Sequence, residues 1–289
     1  MSVLNDRVRW KLSMRNDDGV ASVIGTIFAL LVFITLLSLI ITSYIPAWEK
    51  ENEQEFMTET LFRFSTLKSV NVGVAEGQQQ FVAMPLAPSK VPIFGKTLLG
   101  ELSYHPSDVA KATMTLTFNS NDTSDLEFQS GGSLQYRVFA NTQLSEVVSY
   151  ELGAVVVSQP DGGLIRVSPE MSTNTITVGP STLYDLTISM NDLIGLESSR
   201  IGTGIAGVSL TVDQRIDEVY TMGAADREAT LVIESPHADI WANWLEQRFV
   251  LTGVISALDL TVDDDNVTVN FSDLNSIQVK RTFTIMSLE

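Results

Sequence analysis

Between Val20 and Trp48 the chain runs 29 residues without a charged side chain, VASVIGTIFALLVFITLLSLIITSYIPAW. About 20 apolar residues in a helix span the hydrocarbon core of a bilayer, so this run crosses with some tilt. It is too long for the apolar region of a cleavable signal peptide, about 7–15 residues. No small-residue cleavage site follows it, because Tyr44-Ile45-Pro46-Ala47-Trp48 is bulky. A buried core helix is rarely so uniformly apolar. Arg7, Arg9, Lys11 and Arg15 precede the run; Glu49, Glu51, Glu53, Glu55 and Glu59 follow, opposed by Lys50 alone. Basic flanks stay in the cytoplasm, which predicts a single-pass cell-membrane protein with its N-terminus inside and its body outside.

The body is acidic. Of 18 basic and 35 acidic residues, four and three precede residue 49, so the remainder carries a net charge of −18. Such a field keeps domains soluble and apart, and it argues against nucleic acid or an anionic membrane surface as a partner for the body. The chain has no cysteine, which rules out thiol catalysis, thiolate metal sites and a disulfide scaffold. Roughly 220 residues are enough to bury a core without disulfides.

Three segments are expected: a tail over 1–19, a membrane helix and stalk over 20–70, and a β-rich body over 71–289, as one unit or two sub-domains. Pro46 should disturb the helix, since it lacks an N–H and crowds the preceding turn. Met57, Leu61, Phe64 and Leu67 form an apolar stripe that should pack on the body, with Gly73 and Gly77 marking the exit. The period then shortens to two. Thr113–Phe118 alternates as a half-buried strand does. Hairpins are predicted across Ser130–Ser133, Pro160–Gly163 and Asp263–Asn266. Val147–Val157, Thr175–Val178, Leu183–Met190, Gly207–Val212, Ala229–Glu234 and Ile277–Ile285 continue the pattern. The fold class is therefore mainly β, a sandwich or layered antiparallel sheets behind a long N-terminal helix. One short helix interrupts the strands, with Ser235 as N-cap, Pro236 in the first turn, and Trp241 and Trp244 on an apolar face that plugs the sheet. Residues 71–111 are hard to read, because four prolines break any period.

The junction Asp17-Asp18-Gly19-Val20-Ala21-Ser22-Val23-Ile24-Gly25 resembles the N-terminus of archaeal type IV pilin-like proteins. Tyr150–Val156, Gly162-Gly163, Val167-Ser168-Pro169 and Ile240–Leu245 are similar, more loosely, to central strands and a late helix of pilin-like proteins from halophilic archaea. The resemblance implies that a prepilin-type peptidase cuts between Gly19 and Val20. It also implies that the freed helix packs with other pilin-like subunits or its own copies in a surface filament, or stays as a tether in the lipid bilayer. Gly25, Ala29, Ser38 and Ser43 are the small residues on which helices could approach closely.

Common catalytic patterns are missing from the sequence. Gly202-Thr203-Gly204-Ile205-Ala206-Gly207 has the spacing of a dinucleotide fingerprint, but β-like residues follow it where a helix is required. Asp263-Asp264-Asp265-Asn266 lacks the spacing of a calcium loop and reads as a turn. The two histidines, His105 and His237, stand far apart in the chain. No metal site and no cofactor is expected. Asn121, Asn266 and Asn270 head glycosylation triplets. The expectation is a non-enzymatic, pilin-like structural or adhesive surface protein. Two alternatives are a membrane-anchored extracellular hydrolase using paired carboxylates, and a ligand-binding adhesin with an aromatic patch at Trp241 and Trp244.

Overall fold

The computed structural model describes residues 3–88, 98–121, 126–139, 146–224 and 226–289, with side chains from Ala21 onward except at position 257. Helix α1 (Val3–Leu39) passes through one π-helical turn, Ile40–Tyr44, into α2 (Ile45–Gly73). The disturbance expected at Pro46 is this widened turn just ahead of it. Proline follows as the second residue of α2, inside a continuous helix, where its missing N–H removes one bond of the ladder next to the widened turn. The Thr26, Thr35 and Thr42 hydroxyls donate to the carbonyls of Val23, Val32 and Ser38 at 2.7–2.8 Å, so their polar groups are satisfied within the helix.

The strands are β1 (Gln79–Pro85), β2 (Leu99–His105), β3 (Thr113–Phe118), β4 (Leu126–Gly131), β5 (Ser133–Phe139), β6 (Val147–Glu151), β7 (Ala154–Gln159) and β8 (Gly162–Val167). They continue as β9 (Met171–Val178), β10 (Ser181–Ile194), β11 (Ser198–Gly202), β12 (Ile205–Thr221) and β13 (Ala229–Glu234). Helix α3 (Ala238–Leu245) precedes β14 (Leu260–Asp263), β15 (Asn266–Phe271) and β16 (Leu274–Leu288). They form sheet A (β1-β12-β16-β10-β9), sheet B (β11-β2-β5-β6-β7-β8) and sheet C (β14-β15-β13-β3-β4). The protein is thus mainly β, in layered sheets that are antiparallel except where β10 runs parallel to β16.

The predicted hairpins over Pro160–Gly163 and Asp263–Asn266 are present. The one over Ser130–Ser133 is not. β4 pairs with β3 in sheet C, and β5 pairs with β2 and β6 in sheet B, so the chain changes sheets there. Gly132 makes the corner at φ 108°, and a Cβ on it would lie 2.6 Å from the Cβ of Leu193. The apolar run Val147–Val157 is itself a hairpin, turned at Leu152 and Gly153 with φ 50° and 75°. Positive φ at both central residues suits a tight turn whose twist matches the strands. The stretch 71–111 holds β1 and β2.

The chain divides into two units, the N-terminal helical segment to Gln54 and a body that comprises Glu55–Ser89 and Thr97–Glu289. The last turns of α2 therefore belong to the body. Phe56, Thr60, Phe64, Leu67 and Asn71 are its buried face, while Met57 and Leu61 pack at the side. The expected stripe is rotated slightly, because Phe56 reaches the Tyr136 ring at 5.9 Å between centroids. Asn71 donates to the Tyr150 hydroxyl at 2.9 Å and accepts from Thr284 at 2.6 Å, tying the helix to sheets B and A together. The Arg215 guanidinium donates to the carbonyls of Asn71 and Val72, satisfying acceptors that the helix end leaves open.

Two cores result. One lies between sheets A and C and takes in α3, with Leu186, Ile188, Ile277 and Val279 facing Leu116, Leu231, Val269 and Trp241. The other joins α2 and sheet B to the far end of sheet A, through Phe64, Leu67, Tyr104, Tyr150, Val208 and Met286. The long strands β10, β12 and β16 contribute to both cores.

Candidate functional site

The membrane candidate is the helix Ala21–Gly73, 53 residues long, whose most apolar 18-residue window has mean hydropathy 2.8 and no part buried by the protein. Over the apolar run large side chains are exposed around the whole circumference, among them Val23, Phe28, Leu31 and Phe33. Tyr44 and Trp48 are exposed at the end of the run, where amphipathic rings suit a membrane–water boundary. Gly25, Ala29, Ser38 and Ser43 are all exposed. At about 100° per residue, Gly25 and Ala29 lie within about 40° of each other, whereas Ser38 is about 180° from Ala29. The first two share a face and the four do not. The cleavage point expected between Gly19 and Val20 lies outside the residues whose side chains are described.

A second constellation is buried where β6, β13 and α3 meet. The Glu151 side chain is fully buried and its carboxylate accepts four hydrogen bonds. Trp241 Nε1 and Ser235 Oγ donate to Oε1, each at 2.8 Å. Ser149 Oγ and His237 Nδ1 meet Oε2 at 3.0 and 3.1 Å. Burial pushes this carboxyl's pKa up, but the bonds to His237, Trp241 and Ser235 and the charge of the imidazole outweigh it and hold it below the ordinary range. Serine, histidine and a carboxylate do not make a nucleophile here. The Ser235 hydroxyl is turned to Glu151 rather than to the His237 ring, so the serine–imidazole contact of a catalytic triad is not made. The cluster binds sheet B, sheet C and α3 to one another.

Sequence reasoning missed Glu151, because its partners lie up to 90 residues away and share no spacing. The cap position expected for Ser235 is taken by His237, directly before Ala238. The Ser235 side chain caps one turn earlier, accepting from the His237 N–H at 3.0 Å, since its hydroxyl proton is committed to Glu151. Trp241 is fully buried and Trp244 half-buried, with ring centroids 6.1 Å apart at 82°.

A polar cleft of about 540 Å³ lies over β2, β5 and β11, with Glu101, His105, Arg137 and Glu197 in its lining. Glu197 Oε1 lies 2.8 Å from His105 Nδ1, a contact in which the carboxylate accepts. Glu101 stands four residues from His105 on β2, so the two side chains leave the same face of the strand. Among the described residues no group of three or more His, Asp or Glu is placed to hold a metal ion. The glycines at 202–207 connect β11 to β12 through Thr203 and Gly204, with a strand where the fingerprint needs a helix. Asn266 is exposed beside the β14–β15 turn; Asn270 is exposed but accepts from Thr230 at 2.9 Å. The Asn121 triplet runs into residues outside those described.

No protein-family model matches the chain, and no curated protein matches it.

Proposed function

We propose that this is a membrane-tethered, pilin-like surface protein, with its N-terminus in the cytoplasm and its β body outside the cell. The observation that carries the reading is the uncovered apolar helix, whose continuation from Phe56 onward is built into the body's core. A helix exposing apolar side chains on every face needs a lipid or protein environment to cover them. The basic flank at 7–15 and the acidic flank at 49–59 supply the orientation. The resemblance around Gly19 and Val20 supplies processing by a prepilin-type peptidase. Copies then associate through the face that carries Gly25 and Ala29, while their acidic bodies hold apart.

Protease added to intact cells tests the topology. The body should be digested and a small fragment containing the helix protected; recovery of the body in the cytosol refutes the proposal. Gly19→Leu tests the processing, because a bulky residue at the scissile bond should leave the tail attached. A wild-type chain whose intact mass already includes Met1–Gly19 reduces the protein to a simple anchor.

A further inference from the structure

Beyond the membrane helix, one cleft combines the groups that recognise a small ligand. It lies between the β8–β9 connection and the C-terminal end of α3, is lined by Ser168, Pro169, Met171, Trp244, Gln247 and Arg248, and measures about 320 Å³. That is the lower end of the range of small-molecule sites, about 300–1,000 Å³.

Its parts are held in place. The Trp244 ring meets Trp241 and Phe249 edge-on, at 82° and 89°, and its Nε1 donates to Ser168 Oγ at 3.3 Å. The Lys68 ammonium, from α2, donates to the Ser168 carbonyl and fixes the opposite wall. Gln247 and Arg248 come from a π-helical turn, Glu246–Val250, that follows α3 directly. Such turns are rare and are frequently found at functional sites. Arg248 is exposed and has no carboxylate partner among the described residues, although the body is strongly acidic.

We infer that this cleft binds a sugar ring that carries a carboxylate, of the uronic-acid type. The indole is a flat wall with a negative face, which attracts the polarised C–H bonds of a pyranose. Gln247 and the Ser168 hydroxyl offer donors and acceptors to ring hydroxyls. Arg248 brings a planar fork that matches a carboxylate. The acidic field of the body disfavours polyanions, so a ligand with one carboxylate per ring fits better than a sulfated or phosphorylated chain.

Tryptophan fluorescence of the full chain in neutral detergent tests this with D-glucuronate, D-glucose and cyclohexanecarboxylate as probes. Glucuronate should perturb the emission saturably, and each of the other two should bind about tenfold more weakly, because each lacks one half of the recognition. Arg248→Gln should erase the preference for glucuronate over glucose while leaving the melting temperature unchanged. Trp244→Phe, which keeps an aromatic ring in the packing, should remove the fluorescence response and weaken binding measured by calorimetry. Absence of saturable glucuronate binding overturns the assignment. So does an equal response to either control, or a glucuronate preference that survives in Arg248→Gln. None of these outcomes depends on membrane topology or on processing at Gly19.

Discussion

Removing the Glu151 carboxylate should unsettle the whole body, and the size of the effect follows from its surroundings. The side chain is fully buried and accepts from Ser149, Ser235, Trp241 and His237. Each hydrogen bond to a charged group contributes about 1.5–3 kcal/mol, against a desolvation cost of several kcal/mol for the carboxylate. Glu151→Ala leaves four buried polar groups facing a void, and breaking a buried pair this way costs about 3–5 kcal/mol. For a body of this size each kcal/mol shifts Tm by about 2–4 °C, so Tm should fall by about 6–20 °C. Glu151→Gln keeps the shape and one acceptor, and should cost less. The two variants also differ from wild type in acid. A carboxyl whose folded pKa is depressed adds stability that is fully present above its unfolded value and is lost as pH falls through the folded one. The wild-type advantage over Glu151→Gln should therefore narrow as pH drops below the ordinary value of 4.5. Circular-dichroism melts of the full chain in detergent from pH 7 to pH 3 measure both effects. A Glu151→Ala loss under about 1 kcal/mol, or an advantage over Glu151→Gln that does not change with pH, refutes this account of the cluster.

Two further outcomes follow from the packing. A chain begun at Glu55 should fold as a soluble β body, whereas one begun at Asn71 lacks Phe56, Phe64 and Leu67; at about 2–5 kcal/mol for each such side chain, that loss matches the whole margin of about 5–15 kcal/mol. Equal cooperative urea transitions for the two chains would show that α2 is dispensable. Gly132→Ala should lower stability by about 1–3 kcal/mol, because its Cβ would press on Leu193 at a corner held at φ 108°. A urea midpoint unchanged from wild type would count against that corner.

The sequence made the apolar helix, the strand at Thr113–Phe118 and the turns at Pro160 and Asp264 legible, because each rests on local chemistry: hydropathy, period two, or turn residues. Which strands pair is not local. Ser130–Ser133 has the residues of a hairpin, yet the burial of Leu134 and Tyr136 in one core and the packing of Leu126 and Phe128 against the other pull its two arms into different sheets. Leu152 gave no sign of a turn, since leucine rarely adopts positive φ. Glu151 was invisible for a related reason. A lone acidic residue in an apolar run carries no mark of the serines, tryptophan and histidine that the fold later brings to it. The apolar face of α2 was readable only to within a fraction of a turn, because Asn71 and Thr60, both buried, are polar.

Strand β16 lies inside sheet A, between β12 and β10, although it follows every other strand in the chain. Until residues 274–288 are available, β12 and β10 have no common neighbour, and neither core can close around Ile277, Val279 and Met286. The parallel pairing with β10 spans about 90 positions of sequence, a loop that is slow to close. Ribosomal synthesis at about 5–20 residues per second would thus release the earlier strands well before they can be locked together. Sheet A can therefore take its strand order only once residues 274–288 are made, and until then the edges of β12 and β10 that β16 fills stand open.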